Sequence, residues 1–101
     1  MLAIEKRKLL QLKNLVEEWY TVVGDSAIKC VEQAIEALAS IESLHFHINP
    51  RSAYANNITW IKKSFDNFQD MLACCRLHME HSAMKEKMGK RAKKALETMW
   101  E

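Results

Sequence analysis

Leu9, Leu12, Leu15, Val16 and Trp19 recur at spacings of three and four, which lays them along one side of a helix and predicts a first element over about 2–20. "VVGDS" stops that pattern. Gly24 can take the left-handed conformation that closes a helix, and Asp25 or Ser26 can accept hydrogen bonds from the free amides that open the next. A second stripe, Ile28, Val31, Ile35, Leu38 and Ile41, predicts a helix over about 26–44, interrupted by "HFHINP". Pro50 is preset for a first turn, so a third helix is expected over about 50–63, carrying Ile58 and Ile61. The polar stretch "SFDN" at 64–67 reads as another cap, after which Phe68, Met71, Leu72, Cys75 and Met79 predict a fourth helix over about 66–80. Ser82 opens a fifth, over about 82–100, in which Met84, Met88, Ala92 and Leu96 recur every fourth residue. No internal repeat or strand-like alternation interrupts this pattern, and connections this short favour antiparallel neighbours. The pattern predicts an all-α protein, a compact bundle of about five helices forming one domain over 1–101.

Composition sharpens that picture. Two Gly, one Pro and 49% hydrophobic residues suit helices that bury a modest core. Cys30, Cys74 and Cys75 are odd in number, two are adjacent, and no leader-like succession opens the chain, so a reducing compartment is expected rather than a disulfide framework. No apolar run approaches the roughly 20 residues that cross a bilayer, and no membrane partner is expected. The net charge of +2 is uneven: six basic groups face three acidic ones over 82–101, a balance of +3, whereas 1–81 hold nine basic against ten acidic, a balance of −1. The run "KMGKRAKKA" therefore reads as a solvated helix face, with an import signal or a weak, nonspecific nucleic-acid patch as its alternatives.

Catalytic chemistry is thin. The sequence contains no glycine-rich phosphate loop, no nucleophile elbow and no carboxylate pair in contrasting surroundings, so neither an enzyme nor a small-molecule substrate is expected. Cys74, His78 and His81 fall at i, i+4 and i+7 on the fourth predicted helix, with His45 and His47 nearby in a predicted loop. That spacing lacks the paired short knuckles of structural zinc, and no metal or other cofactor is expected.

The stretch "IEALASIESL", followed by "NNITWIKKSF" and the closing "KRAKKALETMW", resembles the N-terminal domain family of the elongation factor TFIIS. It is most similar to the branch of the integrase-binding domain of the lens epithelium-derived growth factor and its hepatoma-derived relatives. The resemblance runs over roughly 20–100. It implies a right-handed helical bundle in the nucleus that captures short, disordered, Phe-containing motifs of transcription and chromatin regulators. In that branch two interhelical loops lying side by side make the contact, one carrying an aliphatic–acidic pair and the other an aromatic. By position Val23 here stands in the aliphatic place, Asp25 one residue from the acidic place, and Phe65 in the aromatic place, beside the paired lysines Lys62 and Lys63 and Asp66. Ser64 and Asp66 stand where the family has basic residues, so a preference for acidic motifs is not implied.

The residues also admit plainer roles. Asp25 is explained by helix capping. Phe65 could plug the end of a small core, which by itself would contribute about 2–3 kcal/mol, or it could be held out for a partner. The candidate peptide-contacting set is thus Val23, Asp25, Lys62, Lys63, Phe65 and Asp66. A structural subunit that pairs with another helix through Leu9, Leu12, Val16 and Trp19 is the alternative function.

Overall fold

The structure, a computed structural model, describes residues 3–48, 55–79 and 83–98, and within these the side chains of 7–43, 59–79 and 83–98. Four helices make up these residues: α1 Ala3–Trp19, α2 Gly24–Ile48, α3 Ala55–Arg76 and α4 Ala83–Thr98. Their directions follow from a few bonds. Lys8, early in α1, donates to the Ser40 hydroxyl late in α2 at 2.6 Å. The Cys30 thiol, early in α2, donates to the Leu15 carbonyl late in α1 at 3.0 Å. The two helices are therefore antiparallel. The Trp19 indole N–H reaches Cys75 Sγ at 3.1 Å, which brings the ends of α1 and α3 together. Lys85, in the first turns of α4, donates to the Val22 carbonyl at 2.9 Å, so α4 begins where α1 ends. Each helix packs against the two that flank it, α1 against α2 and α4, α3 against α2 and α4. The result is an up-down-up-down four-helix bundle, 42 Å long and 17–19 Å across.

The expected count of five helices is corrected to four. The predicted junction at "SFDN" lies inside α3, because each of its polar groups can be accommodated on a helix. Ser64 is fully buried, and its hydroxyl donates to the Trp60 carbonyl four residues back at 2.8 Å, so it satisfies itself within the helix. Asp66 faces solvent. With Ser64 tolerated, the apolar stripe runs unbroken from Ile61 through Phe65, Phe68, Met71 and Leu72 to Cys75. The predicted start at Pro50 and the proposed Ser82 cap lie outside the described residues.

At the end of the bundle where α1 and α3 finish, α1 closes at Trp19 through the Tyr20 and Thr21 amides on the Glu17 and Glu18 carbonyls, and Gly24, expected to close it, instead opens α2. Gly24 has φ +61°, the left-handed conformation expected of it. α3 ends in a Schellman closure: the Met79 amide bonds the Cys74 carbonyl at 3.0 Å and the His78 amide bonds that of Cys75 at 3.1 Å, with His78 at φ 57°. This closure turns Met79 back against the core and leaves Leu77 outside.

The described side chains form one continuous core. Leu12, Val16 and Trp19 of α1 meet Val31, Leu38 and Ile41 of α2, Ile61, Phe68 and Met71 of α3, and Ala92 and Leu96 of α4. Each fully buried aliphatic or aromatic side chain contributes on the order of 1.5–3 kcal/mol. The buried face of α4 is shifted from the one the sequence suggests: Lys85 and Gly89 are buried, while Met84 is exposed. Two features move it. Gly89 has no side chain where the Tyr20 ring of α1 arrives, and a Cβ there would lie 2.0 Å from the Tyr20 hydroxyl oxygen. Lys85 turns inward to hold its ammonium on the Val22 carbonyl and 5.1 Å from the Trp19 ring centroid.

Candidate functional site

Because α1 and α3 end where α2 and α4 begin, the 20–23 connection and the start of the α3–α4 connection lie side by side at one end of the bundle. Four large apolar side chains are exposed among the described residues, and three of them belong to this end: Val23 at 49%, Leu77 at 69% and Met84 at 41%. Leu10 is the fourth, on α1. Asp25, in the first turn of α2, is exposed beside Val23, where its charge also opposes the positive end of the helix. The scaffold under these residues is rigidly tied. Lys85 holds the Val22 carbonyl, and the Thr21 hydroxyl donates to Glu18 O at 2.7 Å.

The six sequence-derived candidates divide between two places. Val23 and Asp25 stand at the loop end; Lys62, Lys63, Phe65 and Asp66 lie on α3. Phe65 is eleven residues short of the end of α3, so it is about 16 Å from the loops along the helix axis. It is half-buried, packed against the core as part of the helical stripe, and it occupies no interhelical loop. The side-by-side pairing of a Val23 loop with a Phe65 loop is therefore corrected: the connection beside Val23 is the one carrying Leu77. Met84 was not legible as a surface residue, since it continues the every-fourth-residue apolar spacing of its helix, whereas Leu77 already falls outside the stripe Phe68, Met71, Leu72, Cys75 and Met79.

A second feature lies between α3 and α4. Trp60, Lys63, Asp66 and Asn67 of α3 face Arg91, Lys94 and Ala95 of α4 across a groove of about 320 Å³. Lys63 carries its ammonium 4.5 Å from the Trp60 ring centroid. This sets two members of the candidate set, Lys63 and Asp66, beside two cations of the α4 basic run. Elsewhere in that run Lys90 pairs with Glu86 at 3.0 Å and Lys93 pairs with Glu17 of α1, while Lys87 is exposed.

The helix face expected for Cys74 and His78 does not form, because α3 stops at Arg76. Cys74 is buried and donates toward the Met79 carbonyl at 3.6 Å, whereas His78 is exposed beyond the helix end. His81 lies outside the described residues. Among the described residues no group of three His, Cys, Asp or Glu side chains is placed to hold a metal, and no helix is long and apolar enough to cross a membrane. Burial pushes the Cys30 thiol up to about 11, with Glu18 and Cys75 adding to the shift and Lys85 opposing it. Burial likewise raises Tyr20, and the hydrogen bond to Glu17 raises Lys93.

The molecule belongs to the class of all-helical, four-helix bundles. No family model matches the chain, and comparison with curated proteins and with solved structures returns no match.

Proposed function

We propose that this chain is a non-catalytic protein-interaction module that captures a short, disordered, Phe-containing segment at the loop end of the bundle. One observation carries the reading: three of the four large apolar side chains exposed among the described residues, Val23, Leu77 and Met84, lie at the same end of the bundle, at the 20–23 connection, just past the end of α3 and in the first turn of α4. A rigid platform with exposed aliphatic side chains suits an aromatic anchor, because little ordering entropy is lost on its side of the contact. Asp25 at the rim can accept backbone amides of the segment. Transcription or chromatin regulators as partners, and a nuclear location, are supported by the sequence resemblance alone.

Screening a displayed library of disordered segments from transcription and chromatin regulators tests this. Leu77→Glu and Val23→Glu are expected to weaken any selected Phe-containing segment by more than about tenfold, while the melting temperature stays nearly unchanged because both side chains are exposed. Selected segments that bind both variants like the parent would remove the loop end from consideration.

The paired-helix alternative, through Leu9, Leu12, Val16 and Trp19, is less well supported: Leu9 is partly buried against the core. Leu12, Val16 and Trp19 are 0–1% exposed and packed inside the bundle, so an outside helix could reach them only by opening it.

A further inference from the structure

We propose that the α3–α4 groove is a second, independent binding site that takes a short acidic stretch of another polypeptide. Its chemistry is distinct from that of the loop end. Lys63, Arg91 and Lys94 bring three cations from two helices to the walls of one groove, and Trp60 forms an aromatic wall. These lining residues stand at i, i+3 positions, Trp60 with Lys63 on α3 and Arg91 with Lys94 on α4, so each helix turns one pair of adjacent turns toward the groove. In the free chain the Lys63 ammonium rests over the indole. An incoming carboxylate can draw that ammonium into an ion pair and leave the ring face for the apolar part of the same segment. Arg91 can then grip a second carboxylate with its planar fork.

Charge complementarity selects the occupant. Three cations within a groove of about 320 Å³ match two or three carboxylates, a few residues of chain. Asp66, among the lining residues, repels any anion, carboxylate or phosphate, so what favours a polypeptide over a nucleic acid is the backbone N–H groups it can bring to that carboxylate. The remaining basic groups of α4 do not extend the groove into a continuous track either, since Lys85 is buried on the Val22 carbonyl, Lys90 and Lys93 are paired with glutamates, and Lys87 stands outside the groove.

The test uses a fluorescent ten-to-twelve-residue peptide of alternating Glu and Asp around one Leu, its Gln/Asn counterpart, and a single-stranded oligonucleotide of similar length, each titrated by anisotropy at low and physiological salt. The acidic peptide should bind, the amide counterpart should bind at least about tenfold more weakly, and salt should weaken the complex. Arg91→Glu and Lys63→Glu should each cost about tenfold or more. Lys87→Glu supplies the control: Lys87 is exposed and outside the groove, so this variant changes the net charge equally and should keep most of the affinity. All three substituted side chains are exposed, so the variants should fold, as circular dichroism would verify. Equal losses in Lys87→Glu and Arg91→Glu, tighter binding of the oligonucleotide, or no binding of the acidic peptide at about 1 mM would each overturn the proposal. Leu77→Glu should leave this affinity intact, which separates the fate of this site from that of the loop end.

Discussion

At the scale of single residues, Tyr20 and Gly89 decide how α1 and α4 meet. Tyr20 lays its ring on Gly89, donates to the Glu86 carbonyl at 3.4 Å and lies under the Lys93 ammonium, 5.2 Å from the ring centroid. Replacing a helical glycine by alanine ordinarily gains about 0.5–1 kcal/mol in backbone entropy. Here the added methyl would meet the ring, and the clash should win. Gly89→Ala is expected to destabilise the protein by about 1–2 kcal/mol net. In a Tyr20→Ala background the same change should become stabilising by about 0.5–1 kcal/mol, since the obstacle is gone. Urea unfolding of the four proteins checks this reversal of sign. An unchanged sign in both backgrounds would mean that the ring moves aside freely.

At the scale of the element, α3 turns on whether polar residues in mid-helix end it. Ser64 is buried and bonded only to its own helix, so its hydroxyl contributes little that alanine would not replace. Ser64→Ala should therefore be neutral or stabilising by up to about 1 kcal/mol, and Asp66→Ala close to neutral. Were this stretch a helix junction, removing its capping residue would cost about 1 kcal/mol. Thermal melts of the two variants discriminate the cases. The same element shows why "SFDN" misled a sequence reading: serine, aspartate and asparagine are the residues of caps, and a serine whose hydroxyl folds back on residue i−4 looks no different in sequence. The resolving signal was the spacing itself, since Ile61, Phe65, Phe68, Leu72 and Cys75 form one stripe across the supposed break.

For the whole molecule, the titrating groups set an alkaline limit. Cys30, Tyr20 and Lys93 all have folded-state pKa values above their ordinary values of 9.0, 10.0 and 10.5. Each keeps its proton longer in the folded chain than in the unfolded one. The associated stabilisation is complete below the unfolded value and is lost as pH rises through the folded value, about 11 for Cys30. The urea midpoint is therefore expected to be steady from neutral pH to about 9 and to fall between about 9 and 11, with Cys30→Ala showing a shallower fall. A midpoint that stays level through that window would contradict the burial of the thiol. The elongated shape also separates the two proposed sites, one at the loop end and one along the α3–α4 flank toward the other end, so both could be filled at once.

The sequence by itself determined the helical class, the approximate ends of α1, the left-handed Gly24 turn and most of the core stripes, because helix periodicity and turn chemistry are local properties of the chain. It also drew attention to Val23, Lys63 and Asp66. The tertiary structure decided the rest. The closure of α3 after Arg76 put Leu77 past the helix end, the fit of Tyr20 on Gly89 rotated α4 so that Lys85 went in and Met84 came out, and the α3–α4 packing set Arg91 and Lys94 opposite Trp60 and Lys63. Those outcomes depend on which face of one helix meets which face of another. Periodicity shows that a face exists; only packing chooses its neighbour and the residues left at the surface.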